Sequence, residues 1–210
     1  MDRIVDLDDV KELAQDAYYD LWNAARAVGR ELKIYLHWTA GGYYTTYNHY
    51  HFNITGDGKI HQTAPLNQIV SGTWKRNTGS ISITLCAARN AYCTASGRVD
   101  LGDCPPTDAQ IEAMAQLTAT LCEALDIADE NGNIFIKNVM THGEAANNED
   151  GEWIHEAYAV WSYPQPSDGD TRWDLAVLHE DDEWRSGGDV LRGKTIWYII
   201  NWRERGVSGD

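Results

Sequence analysis

The chain has 210 residues, 43% of them hydrophobic, and carries 32 acidic against 17 basic side chains, a formal net charge of −15. Length and composition fit one soluble domain with a substantial core, while the charge argues against nucleic acid and anionic membrane as partners, since both demand cationic surface. No run approaches the roughly 18 apolar residues of a membrane span. The start, MDRIVDLDDVKELAQDAYYD, lacks the basic and apolar regions of a signal peptide, so the expectation is synthesis in the cytoplasm without a signal.

In chain order, residues 8–30 read as a helix, because Val10, Leu13, Ala14, Ala17, Leu21, Ala24, Ala25 and Val28 recur at helical spacing and Gly29 offers a stop. LKIYLHW at 32–38 reads as a strand, and TAGGYYTTYN as a loop or short helix. In YHFNITGDGKIHQ, Tyr50, Phe52 and Ile54 alternate with polar residues, and GDG at 56–58 turns the strand into a hairpin. SISITLC at 80–86 is a further alternating strand. Residues 107–126 form the clearest helix, with Thr107 as cap and Ile111, Met114, Thr118, Leu121, Cys122 and Leu125 along one side. NVMTH at 138–142 reads as a short strand, 143–170 as mostly loop, RWDLAVLH as a short helix or turn, and 189–204 as a final helix.

Interleaved strands and helices without repeat or linker imply an α/β fold: one domain with a mixed central β-sheet flanked by helices. The divisions expected are an N-terminal helix over 1–30 packed on the domain, a catalytic unit over 31–180 and a C-terminal helical extension over 181–210. Four cysteines form no CxxC pair, which removes a zinc ribbon and a thioredoxin-like motif. Cys86 and Cys122 fall in apolar patterns, and Cys93 and Cys104 bracket a loop that a disulfide can close in an oxidising compartment.

Two of the seven histidines stand out by position. His37 and His142 each end a strand and open into a polar loop, so both can reach one metal at one end of a sheet. Imidazole nitrogen with carboxylate suits zinc, a catalytic zinc needs three protein ligands, and no HExxH is present. The third ligand must come from elsewhere in the chain.

HWTAG at 37–41, YHFNITGDGKI at 50–60, NTGSISITL at 77–85, THGEAA at 141–146 and RWDL at 172–175 occur in an order and spacing that resembles the type 2 N-acetylmuramoyl-L-alanine amidases, a family that includes phage endolysins and peptidoglycan recognition proteins. The resemblance spans roughly residues 30–180. It implies a Zn2+ enzyme that cuts peptidoglycan between N-acetylmuramic acid and L-alanine, acts on the cell wall, and takes His37 and His142 as two metal ligands. RWD fits the family's K-x-[CD] pattern with Asp174 as third ligand and Arg172 in place of lysine. A competing alignment makes Asp170 the ligand and Asp168 the lysine replacement, and Asp174 is preferred because a cation beside the scissile carbonyl stabilises its developing charge.

Tyr50 matches the catalytic tyrosine of the phage enzymes, although its alternation with Phe52 and Ile54 equally suits a core residue. Glu144 either orients a ligand or is a loop acid. Where one branch of the family has a catalytic glutamate, this chain has Thr84, and guanidinium cannot shuttle a proton, so the proton donor is unassigned. Trp38, Trp74, Trp153, Trp161 and Trp173 fall near these motifs without an assigned contact. A phage or prophage endolysin is the expected setting, and a non-catalytic peptidoglycan-binding module is the alternative.

Overall fold

The computed structural model describes residues 1–93, 99–152 and 173–206. In chain order the elements are β1 (Arg3–Val5), α1 (Leu7–Ala27), β2 (Lys33–Trp38), β3 (Phe52–Ile54), β4 (Ile60–Gln62), β5 (Ser80–Leu85), β6 (Tyr92–Cys93), β7 (Val99–Asp100), α2 (Asp108–Ala124), β8 (Val139–Thr141), α3 (His142–Ala146) and α4 (Gly187–Glu204). Six strands form one sheet in the order β1-β4-β3-β5-β2-β8, while β6 and β7 make a separate ribbon. The strands β3, β5, β2 and β8 run parallel, and β4 is antiparallel to both of its neighbours. The expected mixed sheet flanked by helices is therefore present.

The pleat sorts side chains onto two unlike faces. Ile34, Leu36, Trp38, Ile81, Ile83 and Leu85 join the apolar faces of α1, α2 and α4 in one buried cluster. Tyr35, His37, Ser82 and Thr84 alternate with them in the sequence and are just as buried. A polar set excluded from water on a sheet face requires partners or a ligand.

Local chemistry fixes the ends. Asp6 caps α1 and Thr107 caps α2, each in a reciprocal capping box. The α2 box partner, Gln110, also donates through Nε2 to the carbonyls of Ile54 at 2.8 Å and Cys86 at 3.1 Å, which ties the helix to β3 and β5. Gly58 turns the β3–β4 hairpin at φ +81°, and the Ala109 carbonyl would lie 3.0 Å from a Cβ placed there, so glycine meets a torsional and a steric demand at once.

Besides the short ribbon strands β6 and β7, two elements depart from the sequence reading. RIV near the N-terminus is a strand on the sheet edge, too short for alternation to reveal. The segment after His142 is not loop at its start but the short helix α3, capped by Thr141. The four cysteines are thiols, with no bond between Cys93 and Cys104. No helix among the described residues is long and apolar enough to cross a membrane.

Candidate metal centre

Strand register places the two histidines together. In the parallel pair β2–β8, Leu36 stands opposite Thr141, so His37 and His142 come next to each other at the carboxyl ends of adjacent strands. This is where parallel sheets bind ligands. Their rings are 4.8 Å apart, edge to face.

Asp174 completes the group from the turn that follows Trp173. Its Oδ2 lies 3.5 Å from His37 Nδ1 and 3.6 Å from His142 Nδ1, and one donor atom from each residue falls within 4.8 Å of the others. Burial works against a charged carboxylate here, yet the two histidines more than offset it and hold Asp174 well below the usual carboxylate range. Trp173 anchors the turn, packing edge-to-face on Trp38 at 4.8 Å and stacking with Trp184 at 6.2 Å. The residue after the aspartate, Leu175, has φ +59°, a conformation that costs a non-glycine residue about 1 kcal/mol or more.

The spacing suits a metal ion. Nitrogen and oxygen ligands about 2.1 Å from a tetrahedral zinc are about 3.4 Å apart, close to the two distances measured between the carboxylate and the imidazoles. His37 Nε2 lies 3.2 Å from Thr73 Oγ1. Donation of Nε2–H to that hydroxyl leaves the Nδ1 lone pair for a metal. Thr73 is held in turn by its own N–H, which donates to Asn77 Oδ1 at 2.7 Å.

A cleft of about 400 Å³ opens over this group, lined by Trp38, Thr39, Ala40, His49, Tyr50, Ser71, Gly72, His142 and Asp174. Tyr50 lies before β3, not in it, and its ring is 5.1 Å from that of His37. The alternation that suggested a core tyrosine stops at Phe52.

Glu144 lies behind the site. Its Oε2 accepts from Thr141 N at 2.8 Å and from Arg192 Nη1 at 2.8 Å, and its Oε1 accepts from Arg192 Nη2 at 2.8 Å. Among the described residues its carboxylate thus grips the turn that carries His142. Arg172, Asp170, Asp168, Trp153 and Trp161 lie outside the described residues.

Sequence reasoning passed over the residues that shape the cleft walls. Asn53 Oδ1 accepts from Tyr47 N, and Asn53 Nδ2 donates to Tyr47 O and to Thr63 Oγ1. Thr63 Oγ1 in turn donates to Tyr50 O at 2.8 Å. Buried His51 accepts from Ser82 N through Nδ1 and bonds Gln68 O through Nε2 at 2.9 Å.

Burial pushes the His51 imidazole down from 6.5 to about 4. The unfolded chain therefore binds a proton between those values that the native protein refuses, and stability must rise with pH across that window. In metal-free protein, denaturant unfolding is expected to show a loss of about 3 kcal/mol from pH 6.5 down to pH 4. His51→Gln, which can accept from Ser82 and donate to Gln68, is expected to flatten that dependence. An unchanged slope would show that another group titrates.

The model of the family described as N-acetylmuramoyl-L-alanine amidase matches residues 27–153, more than half of the chain. The match contains His37, Tyr50 and His142 and stops short of Asp174. No curated protein and no solved structure matches.

Proposed function

The chain belongs to the N-acetylmuramoyl-L-alanine amidase family, and from that membership we propose that it hydrolyses the amide between the lactyl carbonyl of N-acetylmuramic acid and the L-alanine of the stem peptide, with Zn2+ held by His37, His142 and Asp174. The convergence of two imidazoles and one carboxylate at the floor of an open cleft carries the reading. Bound there, zinc supplies Lewis-acid polarisation and a water whose pKa is lowered toward about 7.

The chain's own residues supply the rest. Asp174 brings negative charge to the ligand set, and Thr73 orients His37. Tyr50, whose ring lies 5.1 Å from that of His37, donates a hydrogen bond to the carbonyl oxygen as charge develops on it. Arg172 follows from the sequence pattern as a fixed cation for the same oxyanion, and Asp170 remains the alternative ligand if Asp174 is dispensable. Glu144 acts through His142, by holding the turn that carries it.

The test is digestion of purified peptidoglycan followed by mass spectrometry. Stem peptides with a free N-terminal alanine and uncut glycan strands are expected, with loss of activity in chelator and recovery on adding zinc. Cleavage within the stem peptide would make the protein a zinc peptidase. Wall binding without cleavage would make it a recognition module. A lytic role as a phage or prophage endolysin is a further proposal on the same cleavage at the cell wall, and lysis of susceptible cells by the purified protein tests it.

A further inference from the structure

We propose that His49 is the proton donor to the departing amine. The inference rests on the amidase reading and fills its open position. An amide nitrogen leaves only if it is protonated as the C–N bond breaks. The arginine of the RWD motif cannot give up a proton, and the strand position Thr84 carries a hydroxyl in place of a carboxyl group.

Among the described residues, the titratable side chains lining the cleft are His49, Tyr50, His142 and Asp174. His142 and Asp174 face each other in the ligand group. Tyr50 has a phenol that is a weak acid at neutral pH. His51, the next imidazole along the chain, is buried and engaged by Ser82 N and Gln68 O. His49 is the imidazole of the cleft wall that stands outside the ligand group, and imidazole is the side chain most often used for general acid catalysis.

Its geometry is prepared for the role. His49 Nδ1 lies 2.7 Å from Ser71 Oγ, another residue of the cleft wall. With Nδ1–H donating to that hydroxyl in both protonation states, Nε2 is the nitrogen that carries and releases the exchangeable proton. The turn before β3 is itself pinned by Asn53 and Thr63 through Tyr47 and Tyr50, so the imidazole sits on a fixed base and not on a loose loop.

The step balances. A water oxygen bonds to the lactyl carbonyl carbon, and the C–N bond breaks as the Nε2 proton passes to the alanine nitrogen. The proton lost by the attacking water restores the imidazolium. The direct products are the muramic carboxylic acid and the free amine, and transfer of the acid proton to that amine gives the carboxylate and the ammonium.

The experiment compares wild type, His49→Gln and His49→Ala on two probes: N-acetylmuramoyl-L-alanyl-D-isoglutamine, whose amine must be protonated, and the 4-nitrophenyl ester of N-acetylmuramic acid, whose phenolate leaves without a proton. Both variants are expected to lose about 100-fold or more in kcat on the amide, with little change in KM, in ester hydrolysis or in zinc content. Wild-type kcat on the amide in both variants overturns the inference. Equal losses on amide and ester, or loss of zinc, also overturn it, because they assign His49 a structural part. A wild type that leaves the amide intact fails the amidase reading itself, and the inference with it.

Discussion

Alanine at His37, His142 or Asp174 is expected to cost the protein its zinc and to reduce amide hydrolysis below detection. Each residue supplies one of three donor atoms that lie within 4.8 Å of one another, and a three-ligand site that loses one donor exposes the ion to water on two sides. The loss in metal affinity should exceed the roughly 10–100-fold typical of residues that merely orient ligands. Thr73→Val provides the internal scale. It removes the hydroxyl 3.2 Å from His37 Nε2 while keeping the shape, so its cost should fall inside that 10–100-fold range. Zinc titration by competition with a chromophoric chelator would read both effects, and unfolding of the metal-free variants would show that the fold survives. If Asp174→Ala holds zinc as tightly as wild type, the carboxylate ligand lies elsewhere and Asp170 is next to test.

What could be read in the sequence divides along physical lines. His37 and His142 were legible because each closes a run that reads as a strand and precedes a polar stretch. That they are neighbours was not, because adjacency depends on the register Leu36↔Thr141 and register is set by the whole sheet. Tyr50 was ambiguous for a related reason: period-two alternation does not announce where a strand begins, and β3 starts only at Phe52. The helix α3 had a local signal, threonine followed three residues later by glutamate at Thr141 and Glu144, which the surrounding acidic and glycine-rich stretch obscured. Thr73 and His51 carried no pattern at all. Their roles come from contacts with residues 36 and 31 positions away in the chain.

Glu144 illustrates the same limit and carries the second large effect. Beside a histidine proposed to hold a metal, an acid suggests chemistry, yet its partner is Arg192, 48 residues away on α4. Glu144 and Arg192 are 4% and 7% exposed, and Arg192 also donates to Val139 O at 3.1 Å and to Asp189 Oδ1 at 2.6 Å. Among the described residues, Glu144→Ala would leave the buried guanidinium with only the largely exposed Asp189 as counter-charge, so a loss of about 3–5 kcal/mol is expected in denaturant unfolding. Arg192→Met should cost a similar amount by stranding the carboxylate. The double replacement by methionine should cost much less than the sum, because a buried pair exchanged for apolar side chains of similar size is often nearly neutral. Gly188 limits how well the apolar pair can pack, since a Cβ there would already sit 2.3 Å from Glu144 Oε1. Zinc affinity separates stability from positioning. The double variant, even if restored in stability, still lacks the acceptor for Thr141 N next to His142, and its affinity should remain about tenfold below wild type. Wild-type zinc affinity in a stable double variant would mean that the strand β8 holds His142 without help from the glutamate.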